Sequence, residues 1–170
     1  MITIVVLNEA DAKMYREIRL NALKINPEAF GSTYEREAAF PIATFEERLK
    51  STENQFVLGA LKDDGSLIGI VAFKREESLK MNHKGNVFAM YVAPEHRGQG
   101  VGKLLMLELI SKAKNCDGLE QINLTVVSDN DSTKQLYTSL GFETYGVERN
   151  ALKFNEQYFD EDLMVLNTII

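Results

Sequence analysis

The stretch HRGQGVGKLL, residues 96–105, sets glycines at 98, 100 and 102 between an arginine and a lysine, and an apolar run, LLMLELI, follows from Leu104. Three alternate glycines suit neither a strand nor a helix interior, since each costs about 0.5–1 kcal/mol there relative to alanine. At the entrance to a helix they have a use. The first N–H groups of a helix have no partner within it and carry the positive end of its dipole, so an anion is welcome there. Without Cβ atoms the backbone can approach that anion closely, and Arg97 and Lys103 bring positive charge. The alternative is a plain glycine turn that caps a buried helix.

Spacing narrows the anion. A Walker A loop, G-x-x-x-x-G-K-[ST], would have to start at Arg97, and Leu104 stands where its magnesium-binding hydroxyl belongs. A dinucleotide fingerprint, G-x-G-x-x-G, is broken by the G-x-G-x-G spacing and by Lys103, and Asp117 precedes the next strand instead of following it. What remains is R-x-x-G-x-G, entered from a strand that ends in V-x-P.

The rest of the chain alternates between strand-like and helix-like runs. ITIVVL (2–7) is β-branched, Asn8 is placed to cap a helix reaching about Lys24, and residues 26–41 form a loop with a little helix. A second helix starts at Thr44, with Thr44 and Glu47 at capping-box spacing. Two strands, 55–62 and 66–74, flank the turn Asp63-Asp64-Gly65, and NVFAMYV (86–92) is a third. After the glycines, Leu105, Met106, Leu109, Ile110 and Ala113 share one face of a helix ending near Lys114. QINLTVV (121–127) is a strand, Ser132 to Leu140 a helix with Ser132 and Gln135 as its capping box, and Gly141 its C-terminal stop. Strands at 142–153 and 162–168 follow, joined by a turn between Asn155 and Asp160. The order is β-α-α-β-β-β-α-β-α-β-β, an α/β chain in which an antiparallel meander runs into a βαβ crossover. No repeat or linker divides it, so residues 1–170 are expected to form one domain.

Composition excludes several classes. A net charge of −6 argues against a general nucleic-acid binder, which needs a basic face. Cys116 is the only cysteine, and His83 and His96 are the only histidines, so neither a disulfide nor a Cys- or His-rich metal site is expected. MITIVVLNEAD has no basic leader or cleavage site, and no run approaches the roughly 18 apolar residues of a membrane helix. A reduced, cytoplasmic setting away from membranes is the expectation.

MYVAPEHRGQGVGKLLM resembles the acetyl-CoA-binding motif of the GNAT superfamily of N-acetyltransferases, and NDSTKQLYTSLGF resembles that family's next motif. The resemblance implies a GNAT-like fold of mixed, mostly antiparallel sheet, about seven strands flanked by about four helices. It implies acetyl-CoA as co-substrate, with its pantetheine arm inserted between splayed strands 86–92 and 121–127. Backbone groups of Met90 and Val92 would bond that arm, and the backbone of Arg97, Gly98, Gln99, Gly100, Val101, Gly102 and Lys103 would seat the pyrophosphate. Asn130 would touch the arm from the other side, and Tyr137 would protonate the departing thiolate. The alternative role for Tyr137 is a half-buried core tyrosine.

On this reading a neutral amine attacks the thioester, an N–H of the splayed strand steadies the oxyanion, and no metal takes part. Many relatives carry a glutamate on the splayed strand as base. Here 86–92 has no acid, and His83, Glu95, His96, Glu35 and Glu37 are only neighbours, so no base is assigned. Cys116 is read as structural or exposed, not nucleophilic. Phe30, Tyr34, Glu35, Glu37, Phe40, Tyr158, Phe159 and Asp160 sit where the family's acceptor pocket forms, and suit a cationic small amine or peptide amino group. The alternatives are solvated acids over core aromatics and, for the whole chain, an acyl-CoA-binding sensor without turnover. An exposed edge among the C-terminal strands allows a homodimer.

Overall fold

The computed structural model describes residues 1–169. The strands are β1 (Ile2–Val6), β2 (Gln55–Lys62), β3 (Leu67–Arg75), β4 (Lys84–Val92), β5 (Gln121–Val127), β6 (Glu143–Phe154) and β7 (Gln157–Asn167). The helices are α1 (Ala12–Ile25), α2 (Tyr34–Ala38), α3 (Ile42–Arg48), α4 (Val101–Lys114) and α5 (Asp131–Ser139), with short 3₁₀ turns at Glu9–Asp11, Pro27–Ala29 and Pro94–His96. All seven strands lie in one sheet of order β1-β2-β3-β4-β5-β7-β6, in which β4 and β5 are the parallel pair. The mixed sheet and its crossover follow the order expected from the sequence.

Each face of the sheet has its own core. On one face α4 lays Leu105, Met106 and Leu109, each fully buried, against Phe56, Phe73, Ile122 and Leu124. Each such side chain contributes about 1.5–3 kcal/mol on leaving water. On the other face α1 and α3 pack Tyr15, Ile18, Phe45 and Leu49 against Val57, Ile70 and Tyr91. The four-residue recurrence in both helices is what selects these faces. No helix among the described residues is long and apolar enough to cross a membrane.

Three local expectations need correction. Helix α3 begins two residues before Thr44, with Pro41 as N-cap and no side-chain cap bond, because proline presets an entry that needs no hydroxyl. Helix α5 is capped by Asn130, not Ser132: Asn130 Oδ1 accepts from the Thr133 amide at 3.4 Å. The turn at 155–160 shrinks to Asn155 and Glu156, with φ of 50° and 61°, and Gln157 to Asp160 belong to β7. Two consecutive left-handed residues make a tight hairpin whose twist matches the strands, so pairing continues almost to its tip. Cys116 is buried, its Sγ donating to the Glu53 carbonyl at 3.0 Å, and burial pushes its thiol upward, as suits a structural cysteine.

Candidate active site

Strands β4 and β5 pair only at Lys84–Gln121, Gly85–Ile122 and Asn86–Asn123, and beyond that they part. The parting has a local cause. Between the Tyr91–Ile70 and Phe88–Ala72 pairs, β4 carries one residue more than β3, and Ala89 takes φ of 55°. A bulge of this kind bends its strand, and a left-handed alanine costs about 1–2 kcal/mol, strain of the sort that clusters at functional sites.

The gap is a cleft of about 690 Å³. Consecutive residues of both strands line it, Val87 to Val92 and Leu124 to Val127. Neighbouring side chains on a strand point to opposite faces, so the cleft passes between the strands and opens on both sides of the sheet. Along it, the β5-facing edge of β4 and the β4-facing edge of β5 lack a strand partner, leaving backbone groups for an extended ligand.

On the α4 face the cleft meets the glycine turn. Gly98 and Gly100 have φ of 77° and 80°, which glycine adopts without strain, whereas Gly102 already lies inside α4. The cost argued from three glycines in a first helical turn therefore applies to Gly102 alone. A Cβ on Gly102 would come within 2.9 Å of Met90 Cε and 3.3 Å of Leu136 Cδ2, so a side chain there would crowd the methionine end that lines the cleft. Among the described residues, the amides from Gly98 to Lys103 find no backbone acceptor, and the Leu104 amide, bonded to the Gly100 carbonyl at 3.1 Å, is the first that does. A row of free amides at a helix N-terminus fits a pyrophosphate.

Arg97 is differently employed. Its amide donates to the Pro94 carbonyl, its Nε to the Val92 carbonyl at 2.9 Å and its Nη2 to Asn26 Oδ1 at 2.7 Å. Its guanidinium also lies 5.5 Å from the centre of the Tyr91 ring. The side chain thus braces the turn and does not extend from it, and one of the two backbone positions assigned to the pantetheine, Val92, already accepts a hydrogen bond. Lys103 is exposed on α4, and Gln99 is exposed in the turn, while Val101 is buried under it.

Met90, Asn130 and Tyr137 all line the cleft. Asn130 divides its side chain between capping α5 and facing the cleft. Tyr137 is 4% exposed, its ring tilted against Phe142, and burial pushes its phenol well above the usual tyrosine range. Its hydroxyl is therefore a proton donor at every ordinary pH.

The expected acceptor residues scatter. Phe30 lines the cleft, but Glu37 is fully buried, with Arg19 donating through Nε and Nη2 at 3.1 and 3.0 Å and Arg48 through Nη1 at 2.7 Å. Burial opposes ionisation of Glu37, yet these bonds prevail and hold it at about 2, so it is a structural anion and not a base. Phe40 packs beside Phe45 in the core, and Tyr34 and Glu35 are exposed on α2, away from the cleft wall. Tyr158, Phe159 and Asp160 line an adjoining pocket of about 630 Å³ that shares Val127 and Asp129 with the cleft.

Reading the sequence alone misses Glu161, a half-buried acid of β7 in the cleft wall. A signal was present: in FDEDLMV three successive acids enter an alternating strand, so at least one must face each side of the sheet.

Comparison with known proteins identifies the family. The model of the acetyltransferase (GNAT) family matches residues 20–142. The N-alpha-acetyltransferase RimI of Mycobacterium tuberculosis is 33% identical over 110 residues, 65% of this chain and 65% of that protein. The mycothiol acetyltransferase of Rothia mucilaginosa is 27% identical over 139 residues, 75% of this chain and 39% of that protein. The chain thus spans less than two thirds of the length of these relatives. A GNAT superfamily phosphinothricin acetyltransferase from Sinorhizobium meliloti, solved in complex with acetyl-CoA, superposes with a TM-score of 0.83 at 21% identity, covering 98% of this chain and 88% of that one.

Proposed function

The chain belongs to the GNAT family of acetyltransferases, and from that premise we propose that it transfers the acetyl group of acetyl-CoA to a primary amine, with residues 1–170 acting as one domain. The observation that carries this is the continuity of the cleft: free amides from Gly98 to Lys103 at one end, unpartnered strand edges along its length, and the protonated Tyr137 on its wall. Gly102 supports the fit, because a Cβ there would fill the path beside Met90.

Bound acetyl-CoA would supply an electrophilic thioester carbon. Residues 98–103 would hold its pyrophosphate through backbone N–H groups, and the edges of β4 at Met90 and Val92 would align the extended arm as an added strand. Asn130, already at the cleft through its place at the α5 N-terminus, would bound the arm from the opposite side. Tyr137 would give its proton to the leaving sulfur, and burial, by raising its pKa, keeps the hydroxyl protonated until that step. The acceptor amine would enter from the α1 face, past Phe30, to reach the opening between the strands.

Calorimetric titration with acetyl-CoA, paired with a thiol-release assay over amines, amino acids and peptides, tests the reading. Binding with turnover supports it; binding without turnover on any amine points to a coenzyme sensor; preference for ATP over acetyl-CoA overturns it. Two further parts belong to the same reading: a cytoplasmic location, and pairing of two copies along the free β6 edge, where Tyr145 and Val147 are exposed.

A further inference from the structure

Both buried acids among the described residues are neutralised by cations, whereas two half-buried acids of the cleft wall, Glu28 and Glu161, are not. Glu37 is held by Arg19 and Arg48. Asp162 is held by Lys134 at 2.9 Å and by the Ser128 hydroxyl at 2.6 Å. Glu161, the residue beside Asp162 and on the opposite face of β7, has no cation within ion-pair distance among the described residues. Its one side-chain hydrogen bond is from Thr125 Oγ1, at 3.5 Å. Directly across the antiparallel register stands Glu148 of β6, and like charges placed opposite one another destabilise a sheet.

Other carboxylates stand near Glu161. On β5 it faces Thr125 and the apolar Val127; on β6, Glu148. Across the cleft are Glu28, near the end of α1, and Arg19, whose charge is taken up by Glu37; Tyr137 lies toward the other face. Asp160 and Asp162 flank it in sequence but point away.

We propose that Glu161 receives the ammonium group of the acceptor and removes its proton, so that the acceptors of this chain are primary amines that arrive as cations. The inference rests on the acetyl-transfer reading above. An incoming R–NH₃⁺ would be drawn between Glu161 and Glu148, relieving their repulsion. One N–H bond breaks as its proton passes to the Glu161 carboxylate. The freed nitrogen lone pair forms the C–N bond to the thioester carbon, and the C–S bond breaks with its electrons on sulfur. The second nitrogen proton balances the charge on that sulfur, directly or by way of the Tyr137 hydroxyl. Burial, and after it the field of Glu148, raise Glu161 above the ordinary carboxylate range, which improves it as a proton acceptor near neutrality.

The test compares wild type, Glu161→Gln and Glu161→Asp with acetyl-CoA and four probes: cadaverine, spermidine, glycinamide and an unblocked tripeptide. Glu161→Gln is expected to lower kcat/KM for the amines that wild type uses by about 10²–10⁴-fold at neutral pH. The loss should shrink as pH approaches the amine's own pKa, with Glu161→Asp partly active and acetyl-CoA affinity unchanged by calorimetry. A uniform loss at all pH values, or no loss, overturns the proposal. A second measurement does not need turnover: carboxyl ¹³C NMR, in which spermidine should lower the Glu161 titration midpoint saturably and Glu148→Gln should lower it without ligand. A carboxyl indifferent to both overturns the assignment, whereas failure of wild type to bind acetyl-CoA overturns the parent reading instead.

Discussion

Arg97 Nη2 donates to Asn26 Oδ1 at 2.7 Å, joining the glycine turn to the end of α1 across 71 residues of chain. The same guanidinium returns to the Val92 carbonyl, so one side chain ties the glycine-turn end of the cleft to its α1 side. Planar, forked donors serve two acceptors at once in a way that a lysine ammonium cannot.

Arg97→Lys and Arg97→Ala are therefore expected to behave alike. Each loses hydrogen bonds with a net value of about 0.5–1.5 kcal/mol apiece and should weaken acetyl-CoA binding by about 2–10-fold. Calorimetry on both variants checks this. Recovery of wild-type affinity in Arg97→Lys would show that charge, and not the brace, is what the turn needs.

Gly102→Ala should narrow the cleft at Met90 and Leu136 and weaken acetyl-CoA binding by about tenfold, or 1.4 kcal/mol. Gly146→Ala serves as the control, since its Cβ would make an ordinary 3.5 Å contact with Leu163 and its φ is not left-handed. Equal effects from the two alanines would remove Gly102 from the coenzyme path.

Tyr137→Phe should fold normally, because its hydroxyl donates no hydrogen bond among the described residues, and should lower kcat by about 10²-fold or more with acetyl-CoA affinity retained. Stopped-flow or steady-state thiol release at saturating substrates reads the effect. Unchanged turnover would return Tyr137 to a packing role.

Glu37→Gln leaves two arginines facing a neutral amide and should cost about 3–5 kcal/mol at pH 7. The Glu37 carboxyl titrates at about 2 in the folded chain, against 4.5 as its ordinary value. Its stabilisation is thus fully present above the unfolded value and is lost as pH falls from there toward about 2. Urea midpoints of wild type and variant should lie far apart at pH 7, draw closer by pH 3 and nearly meet only around pH 2, where the folded-state carboxyl itself protonates. A gap that does not change with pH would mean that packing and not charge is at work.

Glu156→Gly should stabilise the chain by about 1 kcal/mol and raise Tm by about 2–4 °C, since glutamate pays strain at φ of 61° and asparagine–glycine suits this hairpin. Thermal unfolding followed by circular dichroism measures it. The ion pair lost with Lys153, at 3.7 Å and exposed, contributes little against that gain.

Much of this was legible from residue order. The apolar period of α4, the β-branched runs, the Asp63-Asp64-Gly65 turn and the Gly141 stop rest on forces that act within a few residues, and each stands where the pattern places it. The caps did not follow from residue order, because Thr44 and Ser132 each compete with a neighbour, and Pro41 and Asn130 prevail. The candidate site divides in the same way. The free amides around Gly98, Gly100 and Gly102 are a local property of a glycine turn meeting a helix, and spacing alone identifies them. The remaining features depend on partners distant in sequence. The three-pair limit of β4 on β5 follows from a bulge set by β3, the brace on Arg97 needs Asn26, and Glu37 becomes structural because α1 and α3 bring Arg19 and Arg48 to it. Glu161 emerges last, since an acid in a strand is distinctive only once its neighbours are known and none of them is a cation. The sequence by itself therefore determined where an anion can be seated, and the tertiary structure decided which charges remain free to act on a substrate, because charge compensation is a property of contacts in space.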